Sequence, residues 1–173
     1  DWPSIRTAFV SYLEVAAEAG LSVIVGGLDY RASPDWGAKL GYTLEALADA
    51  QMRCIDFLRE VSLPFRGRLP AVLISGIIGP RGDAYSLNRT MTADDAETYH
   101  LHQLRTLARA GVDLVTALTF NSVPEAVGVA RAAARVGLPL GMSFTLDSST
   151  SRLMSGPSLR EAIETTDREC GEA

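Results

Sequence analysis

The chain has 173 residues, 47% apolar and 21% charged, the balance of an ordinary globular protein with enough length for one hydrophobic core. A net charge of −5, with Lys39 the only lysine among 16 basic residues and no basic cluster, excludes a phosphate-reading nucleic-acid module. No apolar run approaches the roughly 18 residues of a membrane span, and the acidic, amphipathic start DWPSIRTAFV is unlike a secretory signal. The two cysteines, Cys54 and Cys170, stand far apart, which fits a reducing cytoplasmic setting rather than a disulfide scaffold.

Ile5, Phe9, Leu13 and Ala16 recur at helical spacing and predict a first helix ending at Gly20. LSVIVGG then predicts a short buried strand stopped by two glycines. LDYRASPDWGAKLGY is punctuated by Gly and Pro and is expected to be a loop. Thr43 caps a second helix, LEALADAQMRCIDFLREV. PAVLISGII, from Pro70 to Ile78, predicts the next strand, followed by the long polar loop GPRGDAYSLNRTM. Thr92 with Asp95 starts a helix through YHLHQLRTLARAG, which Gly111 ends. VDLVTALTF predicts a third strand. Ser122 and Glu125 read as a capping box for the helix after it, with Ser158 and Glu161 repeating the pattern beyond a fourth strand, LPLGMSFTL.

Helix, then four strand–helix units, implies a parallel α/β sheet, and nothing marks a boundary within residues 1–173. A doubly wound sheet and a piece of a (β/α)8 TIM barrel both fit this order; a whole barrel takes about 250 residues. In both architectures ligands bind at the carboxyl ends of the strands. That rule selects GGLDYR, SGIIGPRGD, TALTFNS and SFTLDSST. Their candidate substrate-binding residues are Asp29, Tyr30, Arg31, Gly79, Asp83, Thr119, Asn121 and Ser143, with Arg81 and Asp147 beside them. For any one of these the plain alternative is a helix cap or a turn former. Four loops carrying such residues together argue for a pocket.

GIIGPRGD could cradle a phosphate, but the next helix begins about ten residues on, and no Lys–Ser/Thr pair follows. His100 and His102, two apart on a helix, face about 200° apart and cannot share a metal, so a surface or flank position is expected for them. Cys54, beside Ile55 and Leu58, reads as a buried structural thiol. No Cys, His or carboxylate group has metal-ligand spacing, and no nucleophile motif is visible. Asn88-Arg89-Thr90 fits a glycosylation sequon, without consequence in a cytoplasm.

Several blocks resemble the homocysteine S-methyltransferase family: YRASPDWGAKLGYT, SGIIGPRGDAY, AETYHLHQLRTLARAGVDLVTALTFNSVPEAVGVARAA and GLPLGMSFTLDSSTSRLMSGPSLREAI. Their order matches as well, and the resemblance, strongest to a bacterial branch, runs from about Ser4 to Thr166. It implies a (β/α)8 barrel, of which this chain supplies about strands two to five, and a place in methionine metabolism. It also implies a zinc ion that holds a thiol acceptor as a thiolate, ready to attack an activated methyl group. The family's zinc cysteines lie on later strands than those in this sequence, so no ligand is carried onto Cys170 and the chain alone is expected to be inactive. Many members place a Glu-Thr pair at the end of the fourth barrel strand, where the Glu binds the amino group of homocysteine. Here the pair reads Leu118-Thr119, which puts homocysteine itself in question as acceptor, with Asn121 as a neutral contact instead.

Two other readings compete. A non-catalytic half-barrel would homodimerise by pairing its open strand edges. An independent doubly wound domain would hold a small anionic ligand at Gly79-Pro80-Arg81-Gly82.

Overall fold

A computed structural model describes residues 2–85 and 91–170. The sequon at Asn88 lies outside them. Helix α1 spans Trp2–Glu18 and leads to β1, Val23–Val25. A short helix α2, Pro34–Lys39, and the long α3, Leu44–Ser62, precede β2, Val72–Ile78. Then come α4 (Ala93–Ala110), β3 (Leu114–Phe120), α5 (Val123–Arg135), β4 (Leu140–Phe144) and α6 (Leu159–Cys170).

All four strands run parallel in the order β1-β2-β3-β4. A doubly wound sheet reverses direction at a switch point, and this order does not. The sheet is a curled half-barrel with its helices on one side, a partial TIM-barrel fold. The helix side holds the core, where Val25, Ile74, Ile78, Val115 and Ala117 meet Ile55, Leu58, Leu104, Leu107 and Val129. Helices α4 and α5 approach so closely that a Cβ on Gly128 would lie 2.4 Å from the Ala93 carbonyl oxygen, so only glycine fits there.

The other face alternates differently from expectation. Ile24 and Leu73 are paired in register yet 59% and 42% exposed, so β1 is not buried on both sides. Further along this concave face, Ser75 and Thr116 bond hydroxyl to hydroxyl at 2.8 Å.

The expected loop after β1 contains α2. Pro34 sits in its first turn, where the missing N–H costs nothing, and Ser33 precedes it as N-cap residue. Thr43 accepts from the Ala46 N–H, Thr92 and Asp95 form a full capping box, and Gly111 closes α4 at φ 67°. Ser158 and Glu161 also bond reciprocally. Ser122 does not cap α5 with its side chain, and the Glu125 carboxylate does not return to Ser122 but is engaged elsewhere. The polar loop after β2 is also more buried than its composition predicts, with Ala84 and Met91 in the interior.

Candidate functional site at the carboxyl ends of the strands

Three hydroxyl residues from three strand ends meet at Thr119. Its backbone has φ 63°, a left-handed conformation that a β-branched residue adopts only under constraint. The pairing of β3 with β4 slips at this point, between Ala117 and Phe120, and resumes at Phe120 with Phe144. Two contacts hold the kink. The Thr119 N–H donates to Ser143 Oγ at 3.0 Å, and Thr119 Oγ1 lies 2.6 Å from Tyr30 Oη. Gly79 completes the arrangement from below. A Cβ there would fall 2.6 Å from the Tyr30 ring, so the ring occupies space that only glycine leaves open. Arg31 crosses this mouth on the outside, its guanidinium 4.6 Å from the centre of the Trp36 ring and 3.3 Å from the Gly82 carbonyl oxygen.

A second set of polar groups lies just beneath. Asp29 is 1% exposed; Oδ1 accepts from the Ile77 N–H at 3.0 Å and Oδ2 from Gln51 Nε2 at 3.2 Å. Burial pushes its carboxyl up to about 6, against the lowering effect of those bonds. Gln103 donates to the Asp29 carbonyl oxygen at 2.9 Å. Glu125 Oε1 accepts from the Arg81 backbone N–H at 2.6 Å and stands 2.9 Å from His100 Nε2, with both side chains almost wholly buried. The Arg81 side chain pairs with Asp35 at 2.8 Å and covers the Tyr99 ring.

The structure therefore divides the sequence candidates. Tyr30, Gly79, Thr119 and Ser143 come together. Asp29 is turned into the protein and joins the end of β1 to β2. Asn121 is buried and donates to the Ala84 carbonyl oxygen at 2.6 Å, fixing the loop after β2 rather than facing a ligand. Asp83 is exposed and accepts from the Tyr85 N–H. Asp147 accepts from the backbone and hydroxyls of Ser149 and Thr150, which hold its carboxyl below the usual range and shape its own turn. The glycine turn is no phosphate cradle, since Glu125 already occupies the Arg81 N–H. His100 is not on the surface; it is 1% exposed, packed against Phe120 and paired with Glu125. Gln51 and Gln103 escaped the sequence reading, because each sits mid-helix with no local pattern to mark it, while His100 and Glu125 were read in other roles, a surface or flank position and a capping-box partner.

No group of three His, Cys, Asp or Glu among the described residues could hold a metal. Cys54 lies midway along α3, half-buried, its thiol pushed up by burial. Cys170 ends α6 and points its Sγ to the Asp167 carbonyl oxygen at 3.4 Å. These residues do not fit a zinc site. No helix among them is long and apolar enough to cross a membrane.

Comparison with known proteins agrees with this architecture. The chain superposes on the oxidised form of the homocysteine methyltransferase MmuM from Escherichia coli with a TM-score of 0.80 at 21% identity, covering 96% of this chain and 59% of that one. The metallated form gives 0.79 at 21% identity, covering 95% and 59%. Among curated proteins, Homocysteine S-methyltransferase 4 from Zea mays is 26% identical over 171 residues, 88% of this chain and 48% of its own length. The chain thus spans about half the length of that relative. The sequence profile of the family described as Homocysteine S-methyltransferase matches residues 4–171, and the chain belongs to that family.

Proposed function

We propose that this chain forms the substrate-positioning part of an S-methyltransferase that acts on a small thiol. The observation that carries the reading is the strained Thr119, held by Tyr30 from the loop after β1 and by Ser143 on the neighbouring β4. Strain at a strand end persists only where the surroundings over-determine it, and such places cluster at functional sites. Family membership supports methyl transfer as the reaction type. The acceptor sulfur attacks the methyl carbon of a sulfonium donor. The new C–S bond forms as the donor's C–S bond breaks, leaving its electron pair on the donor sulfur, and the thiol proton passes to solvent. The zinc that the family resemblance implies would make the acceptor a better nucleophile. The described residues hold none of it, so their part is to orient the acceptor and exclude water. Tyr30, Thr119 and Ser143 would contact the acceptor, with Gly79 making room for the Tyr30 ring; Arg31 would guard the mouth. Asp29, Asp83 and Asn121 would act by shaping the loops.

The test is methyl transfer by the protein expressed from its complete gene, with sulfonium donors against a panel of small thiols and products read by mass spectrometry. Ser143→Ala should lower kcat/KM about tenfold or more while the fold persists. Absence of any methylated thiol would remove the reading.

One observation favours the half-barrel dimer as a second reading. Grooves flank both outer strands, one of about 200 Å³ between α1 and β1 and one of about 550 Å³ between β4 and α6. Light scattering that gives twice the mass of one chain would support it; a monomer at micromolar concentration would remove it.

A further inference from the structure

The hydrogens of the Thr119 cluster can be assigned one by one. Thr119 Oγ1 carries a single hydrogen and donates it to the Leu118 carbonyl oxygen at 2.6 Å. In its 2.6 Å bond to Tyr30 the donor must therefore be Tyr30. Tyr30 Oη then has no hydrogen left and presents only lone pairs. Ser143 is the opposite case. Its Oγ accepts from the Thr119 N–H, and no described group takes its own hydrogen. The cluster thus offers a ligand one acceptor and one donor, both uncharged. Leu118 adds an apolar surface. It follows Thr116 on the face away from the helices, belongs to neither apolar cluster of the core and is partly exposed.

The described carboxylates of this end are engaged. Asp29 and Glu125 are buried with partners, Asp35 pairs with Arg81, Asp83 accepts from the Tyr85 N–H, and Asp147 is closed within its turn. An ammonium placed here would bring a charge and three N–H donors to one neutral acceptor and a leucine. Leaving a desolvated charge so poorly matched is costly. An amide has one N–H and one C=O, which is what the cluster can satisfy.

We propose that this face binds the thiol acceptor through an acylated, uncharged amine, its N–H to Tyr30 Oη and its C=O to the Ser143 hydroxyl, with Leu118 against its apolar atoms. The inference rests on the methyltransferase reading above and narrows its acceptor.

The test compares homocysteine with N-acetylhomocysteine as acceptors for the protein expressed from its complete gene, with one sulfonium donor. The acylated thiol should be preferred by about tenfold or more in kcat/KM. Leu118→Glu should reverse the preference by supplying the missing charge. Should that variant fail to fold, Tyr30→Phe decides. It removes the lone pairs and should lower turnover of N-acetylhomocysteine several-fold more than that of homocysteine. Equal rates, a preference for homocysteine, or turnover of other thiols only would overturn the inference and leave the methyltransferase reading standing. Failure with every thiol would remove both.

Discussion

Two sets of polar side chains lie at the carboxyl ends of the strands, and they differ in what remains unsatisfied. In the buried set, Asp29 accepts from β2 and α3, and Glu125 accepts from the loop after β2 while meeting His100 on α4. Each of these carboxylates is matched by protein partners and sealed from water, and the one atom left over in this set is His100 Nδ1, buried without a hydrogen-bond partner. In the outer set, Tyr30 and Ser143 are only partly buried and keep a lone pair and a hydrogen unused, and the residue they share is strained. Matching within the protein marks groups that hold the fold; residual capacity beside strain marks groups that face a ligand. Either side of this contrast can be broken by substitution.

The largest effect is expected at Glu125. Glu125→Ala leaves the Arg81 N–H and His100 without their buried partner, and such losses cost about 3–5 kcal/mol. Urea denaturation should show it as a fall in midpoint with little change in slope. Glu125→Gln keeps an oxygen for the Arg81 N–H and should lose clearly less. A loss below about 1 kcal/mol in the alanine variant would place Glu125 outside the structural set.

Asp29 should show itself through pH. Its folded carboxyl lies at about 6, above the ordinary 3.8, so between those values the folded state keeps a proton that the unfolded chain has released. Stability from this group therefore falls as pH rises from about 4 to 6 and is level above that. The size is on the order of 2–3 kcal/mol. Carboxylates held low, such as Asp95 and Glu161, contribute with the opposite sign at lower pH, so the measurement is the difference between wild type and Asp29→Asn. That difference should shift across pH 4–6 against the wild type; a flat difference would mean that Asp29 is solvated.

The sequence announces the outer set more readily than the buried one. The strand-end rule needs only the four apolar runs and the residues after them, and it reaches Tyr30, Gly79, Thr119 and Ser143 directly. The caps of α3, α4 and α6 were legible because each is local: a lone Thr43 before α3, and a pair of residues three apart at α4 and α6. Glu125 fits the pairwise pattern behind Ser122, yet its side chain turns to His100, 25 residues away, where a buried hydrogen bond is stronger than an exposed cap. Gln51 and Gln103 depend on the same kind of long-range meeting at Asp29. Nor could periodicity tell that Ile24 and Leu73 would face away from the helices, because an apolar run looks alike whether one face or both are covered.

The smallest effect, and the sharpest separation of the two sets, is expected at Thr119. A β-branched residue at φ 63° stores on the order of 1–3 kcal/mol, and glycine adopts that conformation freely. Glycine also has more freedom to lose on folding, roughly 0.5–1 kcal/mol, and Thr119→Gly gives up the bonds to Tyr30 and Leu118. The terms oppose one another, so the melting temperature should stay within a few degrees or rise slightly. Methyl transfer should nevertheless fall, because Tyr30 would lose the acceptor that orients its hydroxyl. Substitution in the buried set lowers stability first and activity only as a consequence. Here the order is reversed, with positioning lost while the fold holds. A Thr119→Gly protein that melts well below wild type would place Thr119 with Asp29 and Glu125, as a residue that keeps the end of β3 together rather than one that meets the acceptor.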